Sequence, residues 1–137
     1  MSDLKIELKE DRAAFEPGTA VDGHVSWSLN KPEHALELRL FWFTRGKGTE
    51  DAGVVATQRF EQPLPQETRS FRFELPKAPY SFSGNLISLI WALELIVYPS
   101  KEVVRREFIL GPGGSEVRLE SVHPSDVQQR KFSITIN

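Results

Sequence analysis

Val21-Asp22-Gly23-His24-Val25-Ser26-Trp27-Ser28-Leu29 is the stretch whose reading decides the fold. Val21, Gly23, Val25, Trp27 and Leu29 alternate with Asp22, His24, Ser26 and Ser28. Successive side chains of a strand point to opposite faces, so the first set lines one face and the polar set the other. An apolar face beside a polar one is the pattern of a half-buried antiparallel strand. The same period runs outward in both directions. Leu4, Ile6 and Leu8 alternate with Lys5, Glu7 and Lys9, and Phe15-Glu16-Pro17-Gly18 forms a turn in which Pro presets φ and Gly supplies a positive φ. Downstream, Asn30-Lys31-Pro32 closes the first strand. Leu36, Leu38, Leu40 and Trp42 then alternate with Glu37, Arg39, Phe41 and Phe43.

Further strands follow at Val54 to Glu61, Phe71 to Leu75, Leu86 to Tyr98, Val103 to Leu110, Val117 to Val122 and Phe132 to Ile136. Between them lie a polar hairpin loop at 45–53, Pro-rich connectors at 62–66 and 76–84, the Pro99-Ser100 turn and the Gly111-Pro112-Gly113-Gly114 break. No window carries a helical period, and Pro124 interrupts the most helix-tolerant one, Glu120 to Lys131. About eight or nine short strands with turn signals between them predict an all-β, antiparallel sandwich. Gly23 inside a strand leaves room for a close backbone or for a large neighbour such as Trp27 or Phe71. Pro76 and Pro79 cannot donate to a ladder, so the chain there is expected to cross between sheet edges.

The chain has 137 residues, 17 Lys+Arg against 19 Asp+Glu, a net charge of −2 and no cysteine. That length suits one domain, so residues 1–137 are expected to form a single sandwich. The charge balance excludes an acidic disordered tail and gives no footing for nucleic-acid binding. Without thiols there is no disulfide framework, no cysteine nucleophile and no cysteine zinc site. Met1 to Glu7 lacks the basic and apolar regions of a secretory signal. The longest apolar run, Leu86 to Tyr98, includes Ser88 and Glu94 and falls short of the about 20 apolar residues that a membrane-spanning helix needs. A cytoplasmic location and no membrane span are the expectations.

Two segments resemble a known family. Phe15-Glu16-Pro17-Gly18-Thr19-Ala20-Val21-Asp22-Gly23-His24-Val25 looks like the aromatic-x-Pro-Gly-x-x-Val-x-Gly-x-Val signature near the start of arrestin N-terminal domains. Phe71-Arg72-Phe73-Glu74-Leu75-Pro76, then Pro79-Tyr80-Ser81-Phe82-Ser83-Gly84, then Leu89-Ile90-Trp91-Ala92-Leu93, resembles the arrestin run phe-x-phe-x-leu-pro, pro-x-ser-phe-x-gly, ile-x-tyr-x-leu. Order and separation match as well. The resemblance implies an immunoglobulin-like, arrestin-type β-sandwich and a non-enzymatic adaptor or scaffold role. Arrestin relatives include receptor regulators, a retromer subunit and bacterial sporulation-control proteins. Arrestins carry two such sandwiches, whereas this length holds one, and no Pro-Pro-x-Tyr motif occurs, so receptor regulation does not carry over.

Candidate chemistry is thin. His24, His34 and His123 are not spaced with one another or with carboxylates as metal ligands are, and the Asp22–His24 pair reads as a solvated strand face. Ser121, His123 and Asp126 include triad residue types but no nucleophile elbow, and read as a polar turn. Arg45-Gly46-Lys47-Gly48 lacks the Walker pattern and reads as a hairpin loop. Glu50-Asp51 reads as an exposed acidic tip. Lys101, Arg105 and Arg106 form one basic cluster and Arg130 and Lys131 another, without the interleaved aromatics of a nucleic-acid groove.

One anomaly is informative. Leu89, Trp91, Leu93, Leu95 and Val97 can fill the core, yet the opposite face of that strand offers Leu86, Ile90, Ala92 and Ile96. The strand at 36–44 repeats the pattern, with Phe41 and Phe43 facing out when Leu38, Leu40 and Trp42 face in. In an immunoglobulin-like topology these two strands are neighbours, so their outer faces merge into one apolar patch. Contiguous exposed apolar surface marks an interface; the alternative is cover by a terminus or loop of the chain itself. Phe41, Phe43, Ile90 and Ile96 are therefore the expected protein-contact residues, for a partner protein or a second copy of the chain. Contacts through strand addition at an open edge are the other expected mode. No cofactor, no metal and no catalysis are expected. One alternative is a small-ligand or carbohydrate-binding sandwich using Trp27, Trp42 and Trp91 as stacking platforms, although their period turns all three inward. The other is an enzyme built on a cleft of clustered polar residues.

Overall fold

The computed structural model describes residues 1–46, 50–84 and 87–118, and there the period-two runs are strands. In chain order they are β1 (Asp3–Leu8), β2 (Ala14–Phe15), β3 (Ala20–Ser28), β4 (Ala35–Gly46), β5 (Ala52–Glu61), β6 (Gln66–Glu74), β7 (Phe82–Ser83), β8 (Ile87–Tyr98), β9 (Val103–Leu110) and β10 (Val117–Arg118). One sheet has the order β1-β3-β6. The other runs β5-β4-β8, with both β9 and β7 beside β8, β2 joined to β9 and β10 joined to β7. Every long pair is antiparallel. The β2–β9 and β7–β10 pairs are parallel, a departure from a wholly antiparallel sandwich. Each is two residues long, and β2 is a brief visit to the second sheet between β1 and β3. A 3-10 turn at Lys9–Asp11, with Glu10 and Asp11 at φ 57 and 54, makes that change of sheet. The tail strand expected at Phe132 to Ile136, and most of the one at Val117 to Val122, lie outside the described residues.

The core sits between the sheets. Val21, Val25, Trp27, Phe71 and Phe73 come from the first; Leu36, Leu38, Leu40, Trp91, Leu93, Leu95 and Val97 come from the second. Burying each of the larger side chains contributes about 1.5–3 kcal/mol, which is what holds two polar-backed layers together. All three indoles turn inward, as their period requires. Trp91 is fully buried and Trp27 nearly so, while Trp42 is half-buried against the core. The two buried N–H groups are satisfied by connector carbonyls: Trp27 Nε1 donates to Leu64 O at 2.9 Å, and Trp91 Nε1 to Pro79 O at 2.8 Å. Buried aromatics thus fix the two Pro-rich connectors to the core.

Two glycines are required by geometry. Gly18 takes φ 81 in the turn before β3. Gly23 pairs with Leu8 on one side and Phe71 on the other, and a methyl group there would overlap the Glu7 carbonyl oxygen. The first sheet is drawn tight at that point, and β1 has no room to retreat without losing Ile6 and Leu8 from the core. Gly23→Ala is expected to destabilise the chain by about 3 kcal/mol, by backbone displacement rather than by propensity. Urea denaturation measures it; a loss below about 1 kcal/mol would show that β1 shifts freely.

Candidate functional site

β4 and β8 lie in the middle of the second sheet and pair throughout, from Ala35↔Tyr98 to Gly46↔Ile87. Alternation sends Leu36, Leu38 and Leu40 of β4, and Leu93, Leu95 and Val97 of β8, into the core. The outer face then receives Glu37, Arg39, Phe41, Phe43 and Arg45 from β4 and Ile90, Ala92, Glu94, Ile96 and Tyr98 from β8. With β5 and β9 alongside, the register writes rows across the sheet. These are Arg59–Glu37–Ile96–Val103, Thr57–Arg39–Glu94–Arg105, Val54–Phe41–Ala92–Glu107 and Ala52–Phe43–Ile90. The two double-faced strands are neighbours, and Phe43 stands directly opposite Ile90.

The face is not the open apolar patch that the pattern suggests. Phe41 is 7% exposed and Ile96 9%, while Phe43 and Ile90 are half-buried. Phe41 and Phe43 stack with centroids 5.7 Å apart and planes 25° apart. The Arg105 guanidinium lies over both rings, its carbon 5.1 Å from the Phe41 centroid and 4.8 Å from that of Phe43. The Arg45 guanidinium also lies over Phe43, its carbon 5.4 Å from the ring centroid. Among the described residues the cover is thus arginine side chains: a guanidinium keeps its charge in water while its planar body shields a ring.

Carboxylates hold the arginines in place. Arg105 Nη2 donates to Glu94 Oε2 at 3.0 Å, and Arg45 Nη2 to Glu107 Oε2 at 3.0 Å. Arg39 Nε donates to Glu37 Oε2 at 2.7 Å and its Nη2 to the Tyr98 hydroxyl at 3.0 Å. Arg59 donates to Glu61 and, at 3.3 Å, to Glu37, with its guanidinium 5.6 Å from the Tyr98 ring centroid. The hydrogen bond to Glu37 raises the Arg39 pKa, and the one to Glu61 raises that of Arg59, with burial opposing in both. Both cations therefore remain charged wherever the chain is folded. Beside Phe41 and Phe43 a hollow of about 510 Å³ remains, rimmed by Arg45, Arg105, Glu50, Asp51 and Ala52.

The other sequence candidates do not converge on a second site. His24 is exposed on the first sheet beside Asp22, and His34 is exposed in the β3–β4 loop. Among the described residues no three His, Cys, Asp or Glu side chains group as metal ligands would. Arg105 and Arg106 point to opposite faces, because Arg106 Nη1 donates to Ile6 O at 3.3 Å and its Nη2 to Asp11 Oδ1 at 2.7 Å. Lys47, Gly48, Leu86, Ser121, His123, Asp126, Arg130 and Lys131 lie outside the described residues. A hollow of about 640 Å³ on the first sheet touches Trp27, but that indole is 3% exposed and offers no stacking platform. Among the described residues no helix is long and apolar enough to cross a membrane.

The two sheets packed about one core define an all-β sandwich. A solved structure of similar fold is that of Spo0M, a sporulation control protein from Bacillus subtilis, with a TM-score of 0.57 and 17% sequence identity. The match covers 81% of this chain and 49% of Spo0M, so the chain spans about half the length of that protein. A superoxide reductase (neelaredoxin) from Ignicoccus hospitalis, at 15% identity, covers 78% of this chain and 79% of its own with a TM-score of 0.41. A β-glucosidase from Listeria innocua, also at 15% identity, covers 85% of this chain and 16% of its own with a TM-score of 0.47. Neither of these last two bears on the reading. No protein-family model and no curated protein matches the chain.

Arg39, Arg45, Arg105, Glu94 and Glu107 are the site residues that sequence reasoning missed. The period already put Arg39 beside Phe41 and Phe43, and Glu94 beside Ile90 and Ile96, without giving either a role, and a signal was present for Arg105 as well. Period two on β9 separates Arg105 and Glu107 from Phe108 and Leu110, which places Arg105 on the outer face rather than in a cluster with Arg106. Arg105→Ala is expected to uncover Phe41 and Phe43 at a cost of about 0.5–1 kcal/mol. Binding of an apolar fluorescent dye to the folded chain checks it: the variant should bind more dye than wild type at equal helicity-free circular dichroism, and equal binding would mean that the arginine does not cover the rings.

Proposed function

We propose that the chain is a non-enzymatic protein-binding module, with the outer face of β5, β4, β8 and β9 as its contact surface. Phe43 and Ile90 touch the partner directly; Phe41 and Ile96 support them from beneath. The observation that carries this reading is the half-buried Phe43, stacked on Phe41 and flanked by two guanidiniums that carboxylates hold. Aromatic residues and arginine concentrate interface energy, because they bring large, stiff contact area at low ordering cost. Here that surface is preorganised, so a partner need not order it on binding. An arrestin-type fold agrees with an adaptor role, but fold alone does not assign function, and it is the face that points to a partner. The partner is another protein or a second copy of the chain.

Sedimentation velocity of the chain, together with affinity capture from cells of its source, tests the reading. Self-association or a captured protein should appear for wild type and for an Asp22→Ala control on the opposite sheet. Phe43→Glu and Ile90→Glu should each weaken it about tenfold or more. A monomer that captures nothing, or binding untouched by both face substitutions, would overturn the proposal.

A further inference from the structure

We infer that the outer edge of β5 takes up an extended segment of a partner protein as an added strand, with an aromatic side chain of that segment seated beside Phe43. The inference rests on the outer face being a contact surface and names how the partner reaches it.

A sheet edge carries a row of unpaired backbone groups and invites a further strand unless something blunts it. The edges at β1, β9 and β6 are each blunted over part of their length. Along β1, Ile6 O accepts from Arg106 of β9, and just before the strand Ser2 N donates to Glu102 Oε1 at 2.8 Å, so side chains of β9 and of the residue preceding it occupy the edge. The end of β9 is paired with β2 at Ile109 and Leu110. On β6, Glu67 and Arg69 stand opposite Trp27 and Val25, on the face that turns inward, with Arg69 3.2 Å from Glu67 and 5.2 Å from the Phe60 ring centroid. Charges pointing inward at an edge oppose a neighbouring strand.

β5 is different. Among the described residues it pairs with β4 alone, over Ala52–Glu61. A bulge at Val55, where the register shifts between Leu40 and Phe41, interrupts this edge locally and leaves Ala52 to Val54 as the regular stretch before it; Val54 and Val55 are 57% and 43% exposed. Two exposed valines on an unpaired edge supply both backbone groups and apolar surface to an incoming segment.

The rows across the sheet say what that segment carries. Its outward side chains continue the rows that end at Val54 and Ala52. Ala52 is small, so a large side chain beyond it reaches over the methyl group into the hollow of about 510 Å³ beside Phe43. An aromatic ring fits there, because Phe43, Arg45 and Arg105 offer a ring edge and two guanidiniums. The next outward residue meets Val54 and is aliphatic. Glu50 and Asp51 at the rim call for a flanking lysine or arginine. Laid parallel to β5 the segment thus reads basic–x–aromatic–x–aliphatic, and laid antiparallel it reads the reverse, in either case held by main-chain hydrogen bonds and selected by alternate side chains.

The test uses the whole ¹⁵N-labelled chain and two synthetic peptides of opposite order, Lys-Thr-Phe-Thr-Val-Thr-Thr and Thr-Thr-Val-Thr-Phe-Thr-Lys. Saturable amide shifts and slowed hydrogen exchange over Ala52 to Thr57 are expected, together with shifts at Phe43. N-methylation of alternate peptide amides, or Ala52→Trp in the chain, should weaken binding about tenfold by removing edge hydrogen bonds or filling the hollow. No saturable shift up to about 2 mM peptide overturns the inference. So do outward-pointing β5 amides, those not bonded to β4, already protected in the free chain, which would mean that a segment of the chain itself occupies the edge. Shifts at Phe43 and Ile90 with β5 amides unmoved overturn strand addition while leaving the face reading intact.

Discussion

The structure depends on a ladder that is apolar on both sides. β4 and β8 pair from end to end, and each places large side chains on the core face and on the outer face. Such a pair needs two covers. The first sheet is one, and it brings Val21, Val25, Trp27, Phe71 and Phe73. The second comes from arginines anchored on carboxylates. Guanidiniums over exposed rings contribute about 0.5–1 kcal/mol each, and exposed ion pairs contribute about 0–1 kcal/mol. That is enough to keep Phe41 and Phe43 from acting as a bare adhesive patch, and little enough for a partner to compete with it.

Charge on this face is arranged rather than accumulated. Arg39, Arg45, Arg59 and Arg105 alternate with Glu37, Glu61, Glu94 and Glu107, so the surface has no strong sign. Selectivity then comes from shape, ring placement and backbone pairing more than from long-range steering. The β5 edge and the outer face meet at Ala52, Val54, Phe41 and Phe43, and that corner is where the two expected modes of contact become one.

Much of this was legible in the sequence, because strands longer than about five residues show their period. The alternation at Leu4 to Leu8, Val21 to Leu29, Leu36 to Phe43, Leu86 to Tyr98 and Val103 to Leu110 located β1, β3, β4, β8 and β9. β2 and β7 escaped because a two-residue strand has no period and owes its pairing to the tertiary fold, whereas β10 falls at the start of the strand expected at Val117 to Val122. Gly23 was legible as a close approach, and the structure gives the neighbour as the backbone of β1. The adjacency of Phe43 and Ile90 followed from two-faced strands in an immunoglobulin-like order. The cover over Phe41 did not, because it depends on the β8–β9 register that sets Glu94 beside Arg105, and register is fixed by the whole sheet.

The account turns on guanidinium cover of the aromatic pair, and a double-mutant cycle between Arg105→Ala and Phe43→Ala reads that contact directly. The two substitutions should couple by about 0.5–1 kcal/mol in urea denaturation, the pair costing less together than the sum of the singles. Strict additivity would contradict the account, since it would mean that the arginine and the ring fold independently of each other.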